Sequence, residues 1–257
     1  MRVLAVGDVV SDNGCRFLRK VLPGIKREYK IDLCVVNGEN SHISNAITPE
    51  SADFIFSVGA DVITNGNHTF RRKEIEEYLE ERDDIVRPAN LLQSQFGKGY
   101  TVVDMGRCSV AVINLMGAAF TEGVSNPFEC IDGILEEIGD EVKIILVDFH
   151  AEATGEKRAM GFYLDGRVSA IWGTHTHVQT SDECILPEGT GYITDLGMTG
   201  TFMSCLGVKP ECVIERLKSG EKNRFEHIDG PCVLGGCIFD IDSNGVTTRV
   251  ERILIKE

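Results

Sequence analysis

The chain has 257 residues, of which 42% are hydrophobic and 26% charged, and its formal net charge is −14. This composition is typical of a soluble globular protein, and the length suits one large domain or two small ones. The acidic balance argues against an extended nucleic-acid partner, which needs a basic face to neutralise phosphates, but it does not exclude a small phosphate ligand.

Strand-like and helix-like patterns alternate through the first part of the chain. The opening residues, MRVLAVGDVV, lack the length and cleavage site of a signal peptide and predict a first strand, so we expect a cytoplasmic protein. No stretch approaches the roughly 20 apolar residues of a membrane span, so no membrane partner is expected. Alternation of this kind indicates parallel strands under helices. The predicted elements are strands over residues 2–6, 31–36 and 61–64 and helices over residues 13–29, 48–58 and 71–82.

The pattern changes after residue 88 and then resumes. Two β-rich runs, 100–104 and 109–114, flank Met105-Gly106-Arg107-Cys108 and predict a hairpin. No internal repeat or linker interrupts the chain, so we expect a single domain over residues 1–257, with mixed sheets and helices outside. The remaining predicted elements are helices over residues 126–137 and 209–217 and strands over residues 142–147, 170–172, 232–241 and 246–255.

The nine cysteines form no close CxxC pair, and several of them lie in apolar runs. This distribution favours buried free thiols in a reducing compartment. A zinc site held by cysteines is not expected, because the paired spacing that it needs is absent.

Polar side chains follow five of the apolar runs, at the points where strands are expected to end. Asp8 follows the first run, and Glu39 with Asn40 follows the second. The other members of the set are Asn67, His68, His150, His175 and His177. In open α/β sheets, ligands collect beyond the carboxyl ends of the strands. Side chains that can bind metals follow five different predicted strands, and this pattern predicts a dinuclear metal site.

Several of these residues also have a purely structural explanation. Asp8 could cap the next helix, Asn67 could stabilise a turn, and His150 could be a hydrogen-bonded core histidine. Glu39 is harder to explain, because a carboxylate directly after a buried strand is costly unless it is paired or bound to a cation. In His175-Thr176-His177, alternate residues of an extended segment would point to the same side, so both imidazoles could face one cavity.

The mixture of carboxylate, carboxamide and imidazole groups restricts the choice of metal. These ligands suit manganese or iron, and zinc less selectively. A bridging carboxylate, three histidines and two or three oxygen ligands can hold two ions roughly 3.5–4 Å apart, the spacing found in phosphatases and nucleases. Such a pair of ions would lower the pKa of a water molecule that they share. It would also hold the attacking and the leaving oxygen in a displacement at phosphorus.

Six stretches spread over most of the chain, in order, carry these residues. They are Gly7-Asp8-Val9-Val10, Asn37-Gly38-Glu39-Asn40, Thr64-Asn65-Gly66-Asn67-His68, Asp148-Phe149-His150-Ala151-Glu152-Ala153-Thr154, Gly173-Thr174-His175-Thr176-His177-Val178-Gln179-Thr180 and Thr194-Asp195-Leu196-Gly197-Met198-Thr199-Gly200. Together they resemble the calcineurin-like metallophosphoesterases, and within these the YmdB-type branch, which is similar to 2',3'-cyclic-nucleotide 2'-phosphodiesterases.

This resemblance implies an αββα sandwich, in which two mixed β-sheets pack face to face with helices outside and the metals at one rim. It also implies one ion on Asp8, Glu39, Asn40 and His177 and another on Glu39, Asn67, His150 and His175, with Glu39 bridging. His68 would stay off the metals and protonate the leaving oxygen as general acid. The implied reaction is hydrolysis of a 2',3'-cyclic nucleotide, and of other cyclic nucleotides, by hydroxide activated by both ions. The implied assembly is a homo-oligomer.

One residue departs from the pattern of the wider superfamily, and two segments depart from the pattern of the YmdB-type branch. Val10 stands where the wider superfamily has the His of Asp-x-His, and Asn40 fills that gap in the YmdB-type branch. Residues 41–47 replace a segment that is usually rich in glycine and alanine, and Thr201-Phe202-Met203 replaces Pro-Tyr-Asp. Both segments are expected near the mouth of the site or a subunit contact, so they leave substrate choice and oligomeric state open.

Two other functions could use the same residues. A phosphomonoesterase or 5'-nucleotidase would need the same pair of ions, and a regulatory protein could bind a nucleotide or RNA end without turnover. The complete ligand set and the presence of His68 argue against a purely binding module. His42 is expected on the surface, with a substrate contact as the alternative, and His227, which sits in a charged stretch, is expected to be solvated.

Overall fold

Two mixed β-sheets pack face to face, and helices cover the outer face of each. The computed structural model describes residues 1–92, 96–222 and 224–257. The strands are β1 (Arg2–Val6), β2 (Asp8–Val9), β3 (Leu33–Asn37), β4 (Val62–Thr64), β5 (Tyr100–Asp104), β6 (Ser109–Met116), β7 (Ile144–His150), β8 (Ala170–Thr174), β9 (Cys184–Ile185), β10 (Gly191–Ile193), β11 (Met198–Thr201), β12 (Cys232–Ile241) and β13 (Thr247–Lys256).

The helices follow the strands along the chain and lie outside the sheets. They are α1 (Ser11–Tyr29), α2 (Pro49–Ser57), α3 (Ile75–Glu81), α4 (Pro127–Ile138), α5 (Thr154–Leu164) and α6 (Pro210–Ser219). Within the described ranges, none of them combines the length and the apolar character needed to cross a membrane.

The first sheet is built around three parallel strands. β1 pairs with β3, and β3 pairs with β4, so their carboxyl ends point to one edge of the sheet. β12 runs antiparallel beside β1, and its first residues pair with β11. β13 lies on the other side of β12, and β2 pairs with β11. The polar residues that follow β1, β3 and β4 are therefore neighbours.

The second sheet brings the later candidate residues to the same end of the molecule. β6, β7, β8 and β10 are parallel, while β5 and β9 join the two edges in antiparallel pairing. The pairing of β5 with β6 is the predicted hairpin. The register of β7 and β8 sets His150 opposite Thr174, directly before His175. The histidines after these strands are consequently level with one another.

Three apolar layers hold the sandwich together. The layer between the sheets includes Val35, Leu146, Trp172 and Phe239, all of them buried. A second layer packs α1, α2 and α3 on the first sheet, and a third packs α4 and α5 on the second sheet. This arrangement confirms the predicted αββα architecture.

Several elements differ from the sequence prediction, and α5 is the largest omission. Gly155 and Gly161 weaken the helical pattern there, since glycine disfavours helix interiors. Gly161 is needed for packing, because a Cβ at this position would lie 2.5 Å from Cε2 of Tyr192. The short strands β2, β9, β10 and β11 were also missed, and α3 begins at Ile75 instead of residue 71.

Free thiols are found, as predicted, at Cys15, Cys34, Cys108, Cys130, Cys184, Cys205, Cys232 and Cys237. Cys15, Cys34, Cys232 and Cys237 are buried. Burial raises the pKa of Cys34 to about 12, so this residue stays a neutral thiol that packs as a small apolar side chain.

Removal of the Phe239 side chain should destabilise the sandwich without touching the candidate site. Phe239 is fully buried, and its ring stacks on Trp172 with centroids 5.7 Å apart. We expect Phe239→Ala to lower the free energy of unfolding by about 3–5 kcal/mol, measured by urea denaturation. Phe120→Ala is the matched control, because it removes the same atoms from a residue that is 91% exposed. Equal losses in the two variants would contradict the proposed interlayer core.

Candidate metal centre

The structure brings all eight predicted residues together at the carboxyl ends of the parallel strands. The tightest group consists of Glu39, His150 and His175, whose ligand atoms all lie within 4.8 Å of one another. Nε2 of His150 lies 3.3 Å from Oε1 of Glu39 and 3.0 Å from Nδ1 of His175. The Asn67 amide oxygen also lies 3.0 Å from Nε2 of His150. These four residues could hold a metal ion.

A second group lies beside the first and shares Glu39 with it. Oδ1 of Asp8 is 3.5 Å from Nε2 of His177. Nδ2 of Asn40 lies 3.4 Å from the same His177 nitrogen and donates to Oε1 of Glu39 at 2.9 Å. Glu39 therefore lies between the two groups, where a bridging carboxylate was expected.

His68 contacts this pair of groups from the side. Its backbone N–H donates to Oε2 of Glu39 at 3.0 Å, and its Nδ1 lies 2.8 Å from Oδ1 of Asn40. Because an amide oxygen only accepts hydrogen bonds, Nδ1 carries the proton in this contact and Nε2 is left free. Burial lowers the pKa of His68, although the charge of Glu39 opposes the shift. His68 also lines a cavity of about 370 Å³ that opens beside the site.

The electrostatics of the site are dominated by two completely buried carboxylates, Asp8 and Glu39. Among the described residues, their ion-pair partners are all histidines. Burial favours the neutral acid, but the His177 imidazole holds the pKa of Asp8 below its usual range. Burial likewise opposes a charge on His150, yet Glu39 and Asp8 raise the pKa of His150 to about 9. The site therefore requires positive charge next to its carboxylates.

Two further observations show that the residues fit a cation. Oδ1 of Asp8 and Nδ1 of His177 are buried and have no hydrogen-bond partner among the described residues, a costly state that a ligand would relieve. Gly66 leaves room for such a ligand, because a Cβ there would lie 2.3 Å from Nε2 of His150 and 2.4 Å from Oε2 of Glu39. A bound cation would also replace the charge of protonated His150 and release its proton.

A buried network behind the site fixes the tautomer of His150. The Thr174 hydroxyl donates to Oδ1 of Asp148 at 2.6 Å, and Asp148 also accepts from Thr64 and Asn37. With its single proton used, Thr174 must accept from Nδ1–H of His150, 2.9 Å away. Nε2 of His150, which faces Glu39, is therefore the nitrogen that would lose its proton when a cation replaces the charge of this imidazole. Burial raises the pKa of Asp148 to about 6 even with three donors around it.

The segment from His175 to His177 is not extended, so the argument from alternating side chains was wrong. Both histidines have left-handed backbone, with φ of 95° at His175 and 62° at His177. Conformations of this kind cost about 1–3 kcal/mol each and persist only when neighbours enforce them. Here Oδ2 of Asp195 accepts from the Thr176 hydroxyl at 2.6 Å and from Nζ of Lys157 at 2.7 Å. The backbone N–H of His175 donates to Asp8.

The structural alternatives for individual residues have mixed outcomes. Asp8 does not cap α1, because Val10 occupies the N-cap position without a side-chain hydrogen bond. His150 is a hydrogen-bonded core histidine, but its second nitrogen faces Glu39. His42 is half-buried and contacts Ser44. His227 was wrongly expected to be solvated, since it is half-buried and its Nδ1 is buried with no hydrogen-bond partner in the described part of the chain.

The supporting residues Thr174, Asp148, Lys157 and Asp195 were not singled out from the sequence. Asp148 offered a signal, since a carboxylate inside the apolar run of β7 must be hydrogen-bonded or paired. The buried Lys157–Asp195 pair joins residues 38 positions apart, so no local pattern indicates it.

The sequence of the chain matches a known protein family. The family model of YmdB-like proteins matches residues 4–253. A 2',3'-cyclic-nucleotide 2'-phosphodiesterase of Bacillus subtilis (strain 168) is 42% identical over an alignment that covers 100% of this chain and 98% of that protein.

Two crystal structures have the same fold over the whole chain. A Thermus thermophilus protein, described only as hypothetical, is 36% identical with a TM-score of 0.93, and the match covers 100% of both chains. A Mycoplasma pneumoniae protein, described as a novel phosphatase, is 32% identical with a TM-score of 0.93, and the match covers 100% of this chain and 93% of that one. The chain therefore belongs to the family of YmdB-like proteins, as its six sequence stretches predicted.

Proposed function

We propose that this protein is a metal-dependent phosphodiesterase that hydrolyses 2',3'-cyclic nucleotides. The observation that carries the proposal is the convergence of two fully buried carboxylates and four imidazoles at one end of the sandwich, beside an open cavity. Relatives named as a phosphodiesterase and a phosphatase make the chain a phosphoesterase. The name of the Bacillus subtilis relative supports the choice of substrate.

The metals are part of this proposal. We assign one ion to Asp8, Glu39, Asn40 and His177 and a second to Glu39, Asn67, His150 and His175, with iron or manganese preferred and zinc as a third choice. When bound, the ions would supply Lewis acidity, which promotes ionisation of water and offsets negative charge on the phosphate oxygens. The amide oxygen of Asn40 has two lone pairs, so it can accept from His68 and still face an ion.

His68 is the residue that we assign to proton transfer. Asn40 holds its Nδ1–H, so Nε2 is the nitrogen that can exchange a proton with the substrate. The residue lines the cavity without belonging to either ligand group. In its protonated form it would donate a proton to the oxygen that leaves phosphorus when the cyclic ring opens.

Hydrolysis of phosphomonoesters is the second candidate, favoured by the description of the Mycoplasma pneumoniae structure as a phosphatase. A panel of cyclic nucleotides and nucleoside monophosphates would separate the two reactions. The single domain over residues 1–257, the cytoplasmic location and the homo-oligomer stay predictions; light scattering tests the oligomer.

Replacement of His68 should remove proton transfer and leave the metal site intact. We expect His68→Gln to lower kcat for a 2',3'-cyclic nucleotide by about 10²–10⁴-fold, with metal content unchanged. His42→Gln is the matched control, because His42 bonds to Ser44 outside the two ligand groups. Full turnover by a metal-loaded His68→Gln protein would show that another group donates the proton.

Filling the space at Gly66 should abolish metal binding. A Cβ at this position would displace His150 and Glu39 from their present contacts, so we expect Gly66→Ala to retain little metal by elemental analysis. Gly133→Ala is the control, because a Cβ there would meet no described atom within 4 Å apart from its chain neighbours and the backbone of its own helix, and alanine favours the helix interior. Normal metal content in Gly66→Ala would contradict the assigned ligands.

A further inference from the structure

The cavity beside the metal centre has two chemically different walls. One wall is polar and includes four candidate metal residues and His68, together with Asn45, Glu152 and Thr176; the four are Glu39, Asn40, His175 and His177. The apolar part of the lining includes Leu206, Val208, Val213 and Phe225, which are here called the apolar wall. Hydrolysis at phosphorus uses only the polar wall. The apolar wall therefore faces a part of the ligand that does not react.

Leu206 is held in this wall at an energetic cost. Cys205 and Val208 exchange two backbone hydrogen bonds, of 2.8 and 3.0 Å, around a two-residue turn. Both central residues of the turn have positive φ, 56° at Leu206 and 92° at Gly207. Turns of this type favour asparagine and glycine, and a left-handed L-residue costs roughly 1–2 kcal/mol. A half-exposed leucine in such a position points to a role at the cavity, not in the core.

Phe225 gives the same wall an aromatic surface. Phe225 as a residue is 38% exposed, so part of it is available to a ligand. The guanidinium of Arg216 lies 4.7 Å from the ring centroid, and this contact holds the ring in place. Val213 belongs to α6, a helix without a single buried residue, so its apolar side chain serves the cavity and not the core.

We propose that the apolar wall binds the nucleobase of the substrate; this inference rests on the proposed function. A nucleobase is the flat, weakly hydrated part of a cyclic nucleotide, and it matches the aliphatic and aromatic groups of this wall. The cavity volume of about 370 Å³ lies within the range of small-molecule sites, ~300–1,000 Å³. Because apolar and stacking contacts accept any base, the enzyme should discriminate little among the four bases.

The test compares a substrate that has a base with one that lacks it. Adenosine 2',3'-cyclic monophosphate and glycerol 1,2-cyclic phosphate share the five-membered ring. We expect Leu206→Asn, which suits the left-handed turn, to lower the ratio of their kcat/KM values by roughly fivefold to tenfold, through KM for the nucleotide. Leu217→Asn is the control, since Leu217 is 79% exposed on α6 and does not line the cavity. An unchanged ratio in Leu206→Asn, or an equal change in Leu217→Asn, would overturn the proposal.

A binding measurement separates this inference from the proposed reaction. Calorimetry with adenosine, which carries no phosphate to be hydrolysed, reports the affinity for the base without turnover. If Leu206→Asn weakens this binding while the wild type hydrolyses no cyclic nucleotide, the wall binds the base and the proposed reaction is wrong. If the wild type is active but Leu206→Asn binds adenosine normally and dissociates a larger assembly in light scattering, the wall is a subunit contact and the inference is wrong.

Discussion

The structure depends on one electrostatic constraint, the complete burial of the Asp8 and Glu39 carboxylates at the rim of the sandwich. Each is surrounded by imidazoles, and within the described part of the chain no lysine or arginine forms an ion pair with either. A buried carboxylate pair is costly without positive charge next to it. In this structure a raised pKa at His150 supplies that charge, and a bound cation would supply more of it. The geometry, the unpartnered atoms and the proposed chemistry all follow from this requirement.

The backbone is shaped to meet the same constraint. A Cβ at Gly7 would lie 1.9 Å from the backbone oxygen of Gly197, so only glycine allows this close approach of the two backbones. The approach places Asp8, the next residue, at the site. Gly66 keeps the space between His150 and Glu39 open. On the other sheet, the buried Lys157–Asp195 pair supports the left-handed turn that aims His175 and His177. Stability is thus given up locally at the rim, while the three apolar layers hold the sandwich together.

Much of this could be predicted from sequence because the informative residues follow strands. Asp8, Glu39 and His150 come directly after or at the end of apolar runs, and parallel pairing brings such positions together without knowledge of the register. The features that could not be predicted from the sequence depend on contacts between segments that are distant along the chain. The left-handed backbone at His175 and the Lys157–Asp195 pair leave no periodic signal. The apolar wall around Leu206 combines a turn, a helix and a loop whose individual patterns are unremarkable. Helix α5 was missed because Gly161 serves the packing of Tyr192 and disrupts the local pattern.

The central claim is that this rim is a dinuclear metal centre, and the most direct test is the number of ions bound per folded chain. The protein would be dialysed to equilibrium against Mn²⁺, its metal content measured by mass spectrometry, and its folded state checked by circular dichroism. The wild type is expected to bind two ions per chain. A correctly folded chain that retains one ion or none would contradict the dinuclear centre.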